Sequence, residues 1–585
     1  MRRVLVLLAV AVFIASLVPI ALAQEEDDSV VLRIGDTQNW SSLNPTAGFL
    51  FADYEVWNMH YGTLTNKAAD DFEVIPGLAE SWEASDDGLT YTYTLREGLT
   101  WSDGEPLTSD DVVWNITTAN EQAWANHYAT TINLTAVAID ERTVEITSSV
   151  PDPKLPAMDF YLLPKHIWEP IATDDVAVTE YDGLDGVGSG PFVLSEYRDQ
   201  QSATLVANPS FYGWEGEDPP IDEVILQYFA NPDAMVAALL QGELDVINNV
   251  PIASVASLED DPDIQFIVGE QGSFGEIALN GGLAEGQPHP ALLDLTVRQA
   301  ISHGVDRQAI VDDLWLGLVE PQDAINAAAD VSKWTPEIPE ENRLRYDVNR
   351  ANQLLDEGGY LDTDDDGIRE MPDGTNPIVL RHGVNTDGDL AQPIAELFQG
   401  WMAEIGIGVE FSSQDADQLF ETIVAGDYDT FFWGWGMFVD PDYMLVNLTE
   451  SELGNYNDAN WTDPRYEELY LQQKVETDEA TRIEMVHEML NIFHDSAIYI
   501  VTSPEPELQA YRTDTFEGWV RQPADIGPVI MTQTGASYPL LQPIGAEAEG
   551  GDDVNWVLIG GIAAVVVIGG VLIATRRRGT ADERE

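Results

Sequence analysis

The feature that most constrains the fold is a regular alternation of strand-like and helix-like windows from about Val30 to Pro543. The window "LTYTYTLREGLTW" alternates with a period of two, which predicts a strand. The windows "DAMVAALLQGELDVI" and "DVNRANQLLDEGGY" have helical spacing and lie near a glycine, a favoured helix stop. The segment "AQPIAELFQGWMAEIGIGVEFSSQ" predicts a helix, a glycine turn and a strand in succession. This alternation predicts a mixed α/β architecture.

The charge balance excludes one large class of functions. The chain has 103 acidic and 26 basic residues, which gives a formal net charge of −77. Such a field repels the phosphates of nucleic acids, so we expect no nucleic-acid partner. An acidic, lysine-poor surface suits a salt-rich habitat, where counterions screen the repulsion between like charges. The absence of cysteine excludes disulfides, a cysteine nucleophile and a thiolate metal site.

The N-terminus has the pattern of an export signal. Two arginines precede an apolar run that ends in the small-residue sequence "ALA" before Gln24. This pattern predicts a signal peptide over residues 1–23 that is cleaved after Ala23. An uncleaved membrane anchor is the alternative.

The C-terminus has the pattern of a membrane anchor. Residues 554–575 are apolar over about the 20 residues that span a bilayer. Three arginines follow at once, and the positive-inside rule places them, with the tail over 576–585, in the cytoplasm. The Gly-rich and acidic residues 544–553 predict a short flexible stalk. We therefore expect an exported protein that is tethered to the outer face of the cytoplasmic membrane by its C-terminal helix.

A series of short motifs resembles one protein family. The stretch "PGLAESW" at 76–82 is followed by "SDDGLTYTYTLREGLTWSDGEPLTSDDVVW". The motifs "GSGPF" at 188–192, "QGELD" at 241–245, "LLDEGGY" and "WGWGMFVDPDYM" then follow in the same order as in the family. Together they resemble the family-5 extracellular solute-binding proteins of ABC importers, over almost the whole exported part.

This resemblance implies a receptor and not an enzyme. Members capture oligopeptides, dipeptides, nickel complexes or some oligosaccharides outside the cell and deliver them to the permease subunits in the membrane. We expect a peptide ligand, no required cofactor and a monomeric protein. An oligosaccharide receptor of the same family is the alternative.

The resemblance also implies an α/β fold of the periplasmic-binding-protein type, a two-lobed clamshell (class II). The ligand shifts such a protein from open to closed because it touches both lobes only when they close. The hinge is expected near Leu279-Asn280 and near Tyr499-Ile500-Val501. The expected divisions are 24–70, 186–279 and 501–543 for lobe 1, 71–185 for an extra subdomain of lobe 1, and 280–500 for lobe 2.

The segment "FFWGWGMFVDPDYM" at 431–444 is the first candidate for ligand contact. In the family this segment lies at the cleft. Tryptophan faces can stack on sugar rings or pack on peptide side chains, and we favour Trp435 over Trp433 for this role. Gly434 and Gly436 would let a ligand approach the backbone closely. The alternative is that the two tryptophans point in opposite directions from a strand, so that one of them belongs to the core.

The same segment departs from the peptide-binding members at one point. Those members often have an aspartate a few residues after the tryptophan, which pairs with the ligand's α-ammonium group. Here Met437, Phe438 and Val439 occupy these positions, and the nearest carboxylate is Asp440. Either Asp440 substitutes, or the ligand is not a peptide with a free N-terminus, since a buried ammonium group needs a partner. Asp440 could instead cap the helix that follows.

Four more residues are candidates for ligand contact. They are Asn280 at the lobe edge, Asn385 after the strand-like "IVLRHGV", and Tyr54 and Trp57 in the first lobe. The alternative is that the polar residues at a hinge only satisfy backbone groups.

The loop "LDTDDDGIREMPDG" has the start of a calcium-binding loop. Asp362, Asp364, Asp366 and Gly367 follow the D-x-D-x-D-G pattern, in which alternate oxygens face one cation. The twelfth position, which normally supplies a carboxylate, is Asp373. A structural Ca²⁺ is therefore possible, and a solvated acidic loop is the alternative.

Catalytic motifs are absent from the sequence. The eight histidines are scattered, and no H-E-x-x-H, G-x-S-x-G or P-loop pattern occurs. We expect no catalytic residues, and a tethered surface hydrolase is the remaining enzyme alternative.

Overall fold

The computed structural model describes residues 29–545, except 49, 125–129, 159, 175–177, 179–180, 182–185, 215, 284–285, 389, 437–438 and 532–536. The predicted signal peptide, most of the predicted stalk, the predicted membrane helix and the tail lie outside the described residues. No helix among the described residues is both long enough and apolar enough to cross a membrane. The chain divides into two compact units, Met1–Gln542 and Pro543–Glu585.

The strands, in chain order, are β1 (Val31–Asp36), β2 (Thr65–Lys67), β3 (Val74–Pro76), β4 (Ala79–Ala84), β5 (Thr90–Leu95), β6 (Leu134–Ala138), β7 (Thr143–Ser148), β8 (Phe192–Arg198), β9 (Ser202–Ala207), β10 (Glu223–Tyr228), β11 (Val246–Ile247), β12 (Ile264–Gly269), β13 (Phe274–Leu279), β14 (Val379–Asn385), β15 (Gly408–Gln414), β16 (Thr430–Trp435), β17 (Tyr499–Pro504), β18 (Glu507–Arg512), β19 (Phe516–Glu517) and β20 (Gln542–Pro543).

The α-helices, in chain order, are α1 (Phe51–His60), α2 (Ser109–Gln122), α3 (Lys165–Trp168), α4 (Pro232–Leu240), α5 (Val255–Glu259), α6 (Leu295–Gly304), α7 (Arg307–Leu314), α8 (Val331–Trp334), α9 (Val348–Gly358), α10 (Ala391–Glu404), α11 (Ala416–Ala425), α12 (Asp442–Val446), α13 (Pro464–Gln473) and α14 (Glu479–Ser496). Short 3-10 helices lie at Leu155–Ala157, Tyr212–Trp214, Ile252–Ser254, Pro290–Leu293, Glu340–Asn342, Glu450–Glu452 and Tyr538–Leu540. Helices and strands alternate along the chain, so the predicted mixed α/β architecture is confirmed.

The first large sheet has seven strands in the order β12-β18-β11-β1-β10-β9-β8. Strand β1 lies in its centre and pairs in parallel with β10 and β11. Leu32 and Ile34 of β1 alternate with less buried residues and belong to the apolar core on this sheet. The period of two therefore sets which face of β1 is covered.

The second large sheet has five strands in the order β15-β14-β16-β13-β17. Strand β13 pairs antiparallel with both β16 and β17, and all six of its residues are buried. Helix α10 covers this sheet with Ile394, Phe398 and Met402, whose helical spacing gives it one apolar face.

A smaller sheet has four strands in the order β4-β5-β7-β6 and packs against α2. The strand that the window "LTYTYTLREGLTW" predicted is β5, whose Tyr91, Tyr93 and Leu95 are buried. Thr108 and Asp111 form a capping box at the start of α2, which explains why the helix begins there.

The chain passes between the two large sheets in two short segments. Residues 270–273 lead from β12 in the first sheet to β13 in the second, and residues 505–506 lead from β17 back to β18. The sequence-based prediction puts the first passage later in the chain, near Leu279-Asn280. It puts the second passage earlier, near Tyr499-Ile500-Val501. The passages in the structure differ from these positions because β13 and β17 belong to the second sheet along their whole length.

Candidate ligand-binding cleft

A cavity of about 530 Å³ is lined by residues from both large sheets and from the two passages between them. The end of β1 contributes Asp36, and β16 contributes Phe432, Trp433 and Gly434. The passage 505–506 forms another part of the wall. A ligand in this cavity would therefore touch both sheets and the segments that join them. We call this cavity the cleft.

The lining of the cleft has three kinds of chemistry. Trp315, Phe432 and Trp433 give it aromatic surface. Amide side chains supply neutral hydrogen-bonding groups, and these are Gln38, Asn248, Asn249, Gln271 and Asn385. The charged groups are the carboxylates of Asp36, Glu505 and Glu507, and no lysine, arginine or histidine is among the described residues that line it.

The carboxylate of Glu505 lies in a notch formed by two glycines. Gly275 of β13 and Gly434 of β16 are directly opposite each other in the sheet. A Cβ atom on Gly434 would lie 2.5 Å from Oε2 of Glu505, and one on Gly275 would lie 2.9 Å from Oε1. The glycines therefore leave the space that the carboxylate occupies. The close approach at Gly434 is made by a protein carboxylate, a contact that the sequence does not reveal.

The pKa values of Glu505 and Glu507 are raised toward neutral pH. Burial, with a contribution from the charge of Glu507, raises the pKa of Glu505 to about 7. Burial, with a contribution from the charge of Asp36, raises the pKa of Glu507 to about 7. Gln271 donates a hydrogen bond from Nε2 to Oε1 of Glu507 at 2.7 Å. No hydrogen bond from a described residue reaches the Glu505 side chain.

Asp36 is fixed by neutral donors. Its carboxylate accepts hydrogen bonds from the N–H of Gln38 at 2.8 Å, from Asn248 Nδ2 at 3.1 Å and from Asn249 Nδ2 at 2.7 Å. Burial raises the pKa of Asp36 above its usual range. The three carboxylates thus share one cleft and have no cation beside them among the described lining residues.

The family of the chain follows from a comparison with known protein families. The model described as "Bacterial extracellular solute-binding proteins, family 5 Middle" matches residues 73–457, which is more than half of the chain. The chain belongs to this family. Its members are the substrate-binding subunits of ABC transporters, so this family-5 solute-binding protein is a binding protein and not an enzyme.

Relatives support the same assignment. The solute-binding protein is 26% identical to the oligopeptide-binding protein OppA of Bacillus subtilis over 495 residues, which cover 80% of this chain and 84% of OppA. Its structure is similar to that of AppA from Bacillus subtilis in complex with a nonapeptide, with a TM-score of 0.68, 22% identity and coverage of 88% of this chain and 98% of AppA. It is also similar to NikZ from Campylobacter jejuni in complex with Ni(L-His), with a TM-score of 0.72, 20% identity and coverage of 88% and 99%. The predicted two-lobed, periplasmic-binding-protein-like fold is therefore confirmed.

The tryptophan-glycine segment lies partly in the cleft. Trp433, Gly434 and Gly436 line it, whereas Trp435 is half-buried and donates from Nε1 to the hydroxyl of Tyr499 at 3.3 Å. The preference for Trp435 over Trp433 is not supported by these positions. Both tryptophans are half-buried and pack against the apolar core, and residues two apart on a strand share a face. Contact of these residues with a ligand stays a prediction.

Asp440 is engaged elsewhere. Arg482 donates from Nη1 and Nη2 to the two carboxylate oxygens of Asp440 at 2.7 and 2.8 Å, and the arginine side chain is only 5% exposed. Asp440 also accepts from the N–H of Asp442 at the start of α12, which agrees with the capping alternative. Asp440 does not line the cleft. Met437 and Phe438 lie outside the described residues.

The other predicted contacts divide into two groups. Asn385 lines the cleft. Asn280 is fully buried and donates from Nδ2 to the carbonyls of Gly426 and Tyr428, which agrees with the alternative of a structural role. Trp57 is buried and donates from Nε1 to the carbonyl of Leu43, and Tyr54 packs edge-on against it. Neither aromatic residue lines the cleft.

The acidic loop brings together a set of carboxylates that differs from the predicted set. Carboxylate oxygens of Asp362, Asp364, Asp366 and Glu370 lie within 4.8 Å of one another. Asp373 is outside this group, and its Oδ1 accepts hydrogen bonds from the N–H and the hydroxyl of Thr375. Glu370 takes its place as the fourth carboxylate and is buried. We call these four residues the loop cluster.

Glu505, Glu507 and Asp36 are not among the ligand-contact residues that the sequence predicts. One signal was available in "SPEPEL", where two glutamates alternate with prolines directly after a strand. Side chains two apart in an extended segment point to the same side, so this pattern places two carboxylates together. Their position beside the glycine pair depends on the pairing of distant strands and could not be seen from this pattern.

Proposed function

We propose that this protein is the extracytoplasmic receptor of an ABC importer that captures peptides and delivers them to the permease. The observation that carries the proposal is the cleft, which is lined by residues of both large sheets and combines aromatic surface, neutral amides and carboxylates. Aromatic and amide groups suit side chains and backbone of a peptide, and carboxylates suit its α-ammonium group. The names of OppA and AppA describe proteins that bind oligopeptides, which supports the proposal by analogy.

The proposed mechanism is reversible closure without bond chemistry. Lobe 1 contains the first sheet, with the subdomain 71–185, and lobe 2 contains the second sheet. The hinge consists of the passages 270–273 and 505–506, in place of the sequence-based positions. Contacts to both sheets favour the closed form once a ligand is bound.

We further propose that export and tethering follow the sequence prediction. The signal peptide 1–23 is cleaved, and the helix 554–575 anchors the protein on the outer face of the cytoplasmic membrane through the stalk 544–553. Protease treatment of intact cells tests this proposal. The expected result is loss of the receptor domain and protection of the tail 576–585, whereas an intact full-length chain would contradict it.

The loop cluster is proposed to hold a structural Ca²⁺. Four carboxylates within 4.8 Å of one another provide the hard oxygen ligands that Ca²⁺ prefers. Gly367 has a φ of +92°, which makes the tight turn of such a loop. Glu370 in place of Asp373 is the proposed fourth ligand.

An oligosaccharide ligand is the second candidate. It is favoured by the aromatic side chains Trp315, Phe432 and Trp433 in the cleft, since aromatic faces stack on sugar rings. Asp440 does not restore the carboxylate that peptide-binding members have after the tryptophan, because it is paired with Arg482.

The deciding experiment is identification of the natural ligand. The full chain is purified in a neutral detergent, and molecules that co-purify are analysed by mass spectrometry. Thermal-shift measurements with peptides and oligosaccharides follow, because a ligand of the folded state raises the melting temperature by mass action. A peptide that co-purifies and raises the melting temperature supports the proposal. An oligosaccharide that does so while peptides do not would refute it.

A further inference from the structure

We propose that the cleft selects peptides with extra positive charge, and that the Glu505 carboxylate binds a ligand ammonium group. This inference rests on the proposed peptide-receptor function and specifies the ligand class of the same cleft. Glu505 would thereby supply the charge that is missing after the tryptophan-glycine segment.

The first argument is the state of Glu505 in the free protein. Its carboxylate is held against Gly275 and Gly434, where any larger residue would meet it at 2.9 Å or less. No described residue donates a hydrogen bond to it, although it is half-buried in the wall of the cleft. An anion in such a place is costly unless a cation or donor pairs with it. A ligand ammonium group in the cleft would supply that partner with a charge-assisted hydrogen bond.

The second argument is the arrangement of a second carboxylate. Glu507 lies two residues further along an extended segment, so its Cα atom is about 6–7 Å from that of Glu505. Among the described residues, the hydrogen-bond partner of its side chain is the neutral amide of Gln271, so no cation cancels its charge. The cleft can therefore receive two ammonium groups at once, as in a peptide with a lysine beside its N-terminus.

The third argument is the lack of a competing cation. The described residues that line the cleft include no lysine, arginine or histidine. A neighbouring cavity of about 280 Å³ shares Glu505 and adds Glu270, Glu320 and Glu337. Its single described arginine is Arg343, which pairs with Asp323 at 3.4 Å. Acidic side chains of a ligand would therefore find only neutral donors among the described residues of the cleft, and in the neighbouring cavity an arginine that is already paired.

The geometry favours separate ammonium groups over one metal ion. Among the described residues, the one group of three or more carboxylates close enough to share an ion is the loop cluster. Asp36, Glu505 and Glu507 do not form such a group, so each offers its charge to a different part of the ligand. Organic cations satisfy this arrangement better than a chelated metal.

The test measures binding of four peptides of equal length to the full chain by isothermal titration calorimetry at pH 8 and fixed salt. The peptides are trilysine, trialanine, N-acetyl-trialanine and triglutamate. We expect trilysine to bind at least about tenfold more tightly than trialanine, since one charged hydrogen bond contributes a factor of this size. Triglutamate and N-acetyl-trialanine are expected to bind more weakly than trialanine.

Three variants separate the role of Glu505 from a change of charge alone. Glu505→Gln should weaken trilysine binding about 10- to 100-fold and abolish the difference between trialanine and its acetylated form. Glu507→Gln should weaken trilysine more than trialanine. Glu410→Gln on β15 removes the same charge from an exposed position outside the cleft and should leave all four affinities unchanged.

The outcomes distinguish this inference from the proposed function. If triglutamate or N-acetyl-trialanine binds as tightly as trilysine, the charge selection is wrong while the peptide receptor stands. If spermidine binds in a Glu505-dependent way and no peptide does, the peptide receptor fails and cation selection stands. If only an oligosaccharide binds, or none of these probes does, both are overturned.

Discussion

Asp440 and Glu505 come after β16 and β17, the two strands that flank β13 in the second sheet, yet their carboxylates have opposite surroundings. Asp440 is held by both terminal nitrogens of a buried arginine, Arg482. Glu505 lies against two glycines, and no described residue donates to its side chain. The first carboxylate is therefore used to hold α12 and α14 together, and the second is available to a ligand. Closeness to a motif in the sequence does not determine which carboxylate is available to a ligand. The residues that surround the carboxylate determine it.

The largest effect is expected for removal of the paired carboxylate. Asp440→Ala leaves Arg482 buried with Oε1 of Gln473 as its remaining hydrogen-bond acceptor in the described structure, at 3.1 Å. Breaking a buried pair on one side destabilises strongly, so we expect a loss of about 3 kcal/mol in the free energy of unfolding. Urea denaturation of the full chain in detergent measures this change.

The control for this variant is an exposed pair of the same type. Asp427 pairs with Arg381, and the aspartate side chain is 71% exposed. Asp427→Ala should cost less than about 1 kcal/mol, because water screens the exposed pair. Equal effects of the two variants would show that the Asp440 pair has no special role.

The second expected effect concerns the glycine notch. Gly434→Ala adds a methyl group at 2.5 Å from Oε2 of Glu505 and displaces the carboxylate from its place. Because the displaced atoms end a flexible side chain, we expect little change in stability but about a tenfold loss of trilysine affinity. Gly400→Ala, which meets no atom within 4 Å, is the matched control. A further loss from Gly434→Ala in the Glu505→Gln background would argue against the notch.

Whether a feature could be predicted from the sequence depends on whether it is local or joins distant segments of the chain. The period of two in "LTYTYTLREGLTW" predicts β5, and Trp433 and Gly434 of the tryptophan-glycine segment line the cleft, while their contact with a ligand stays a prediction. Local patterns suffice there because a strand face depends only on neighbouring residues. The Asp440–Arg482 pair joins residues 42 apart, and the notch joins β13, β16 and the segment after β17. Such contacts follow from the pairing of distant strands and helices, on which residue spacing carries no information.

The third expected effect is that the stability of the ligand-free protein and its affinity for trilysine depend on pH in opposite directions. The acids that interact with Glu505 are Glu507 and the buried Glu276, and Asp36 interacts with Glu507. Burial raises the pKa of Glu505 and of Glu507 to about 7 in the folded protein, above the value near 4.5 of an unfolded glutamate. The folded state therefore binds protons more tightly than the unfolded state, and this contribution to stability is lost as the pH rises through about 7.

Measurement of both quantities tests the assignment. Between pH 5.5 and pH 8 we expect the ligand-free protein to lose about 2 kcal/mol of stability through each of these two groups. Trilysine affinity should rise over the same interval, because an ammonium group pairs with the ionised carboxylate. Glu505→Gln should reduce both slopes. A trilysine affinity that falls with rising pH would contradict the pairing.

The smallest effect is expected at the loop cluster, where three of the four carboxylates are exposed to solvent and none lines the cleft. Asp362, Asp364 and Asp366 are exposed, so an ion from solution can neutralise them at little desolvation cost. A Ca²⁺ concentration three times the dissociation constant would stabilise the fold by about 0.8 kcal/mol. Thermal unfolding with Ca²⁺, compared with Mg²⁺ at equal ionic strength, measures this shift.

The ligand set can be tested in the same assay. Asp364→Asn should remove the Ca²⁺ response. Asp373→Asn should leave the response intact, since Asp373 is hydrogen-bonded to Thr375 and does not belong to the loop cluster. If Asp373→Asn removes the response, the twelve-residue loop spacing of the sequence describes the site better than the four-carboxylate group. If neither Ca²⁺ nor Mg²⁺ changes the melting temperature, these acids are solvated charges. The contrast with Glu505 would then be sharper, because an unpaired carboxylate would bind a cation only where the fold removes it from water.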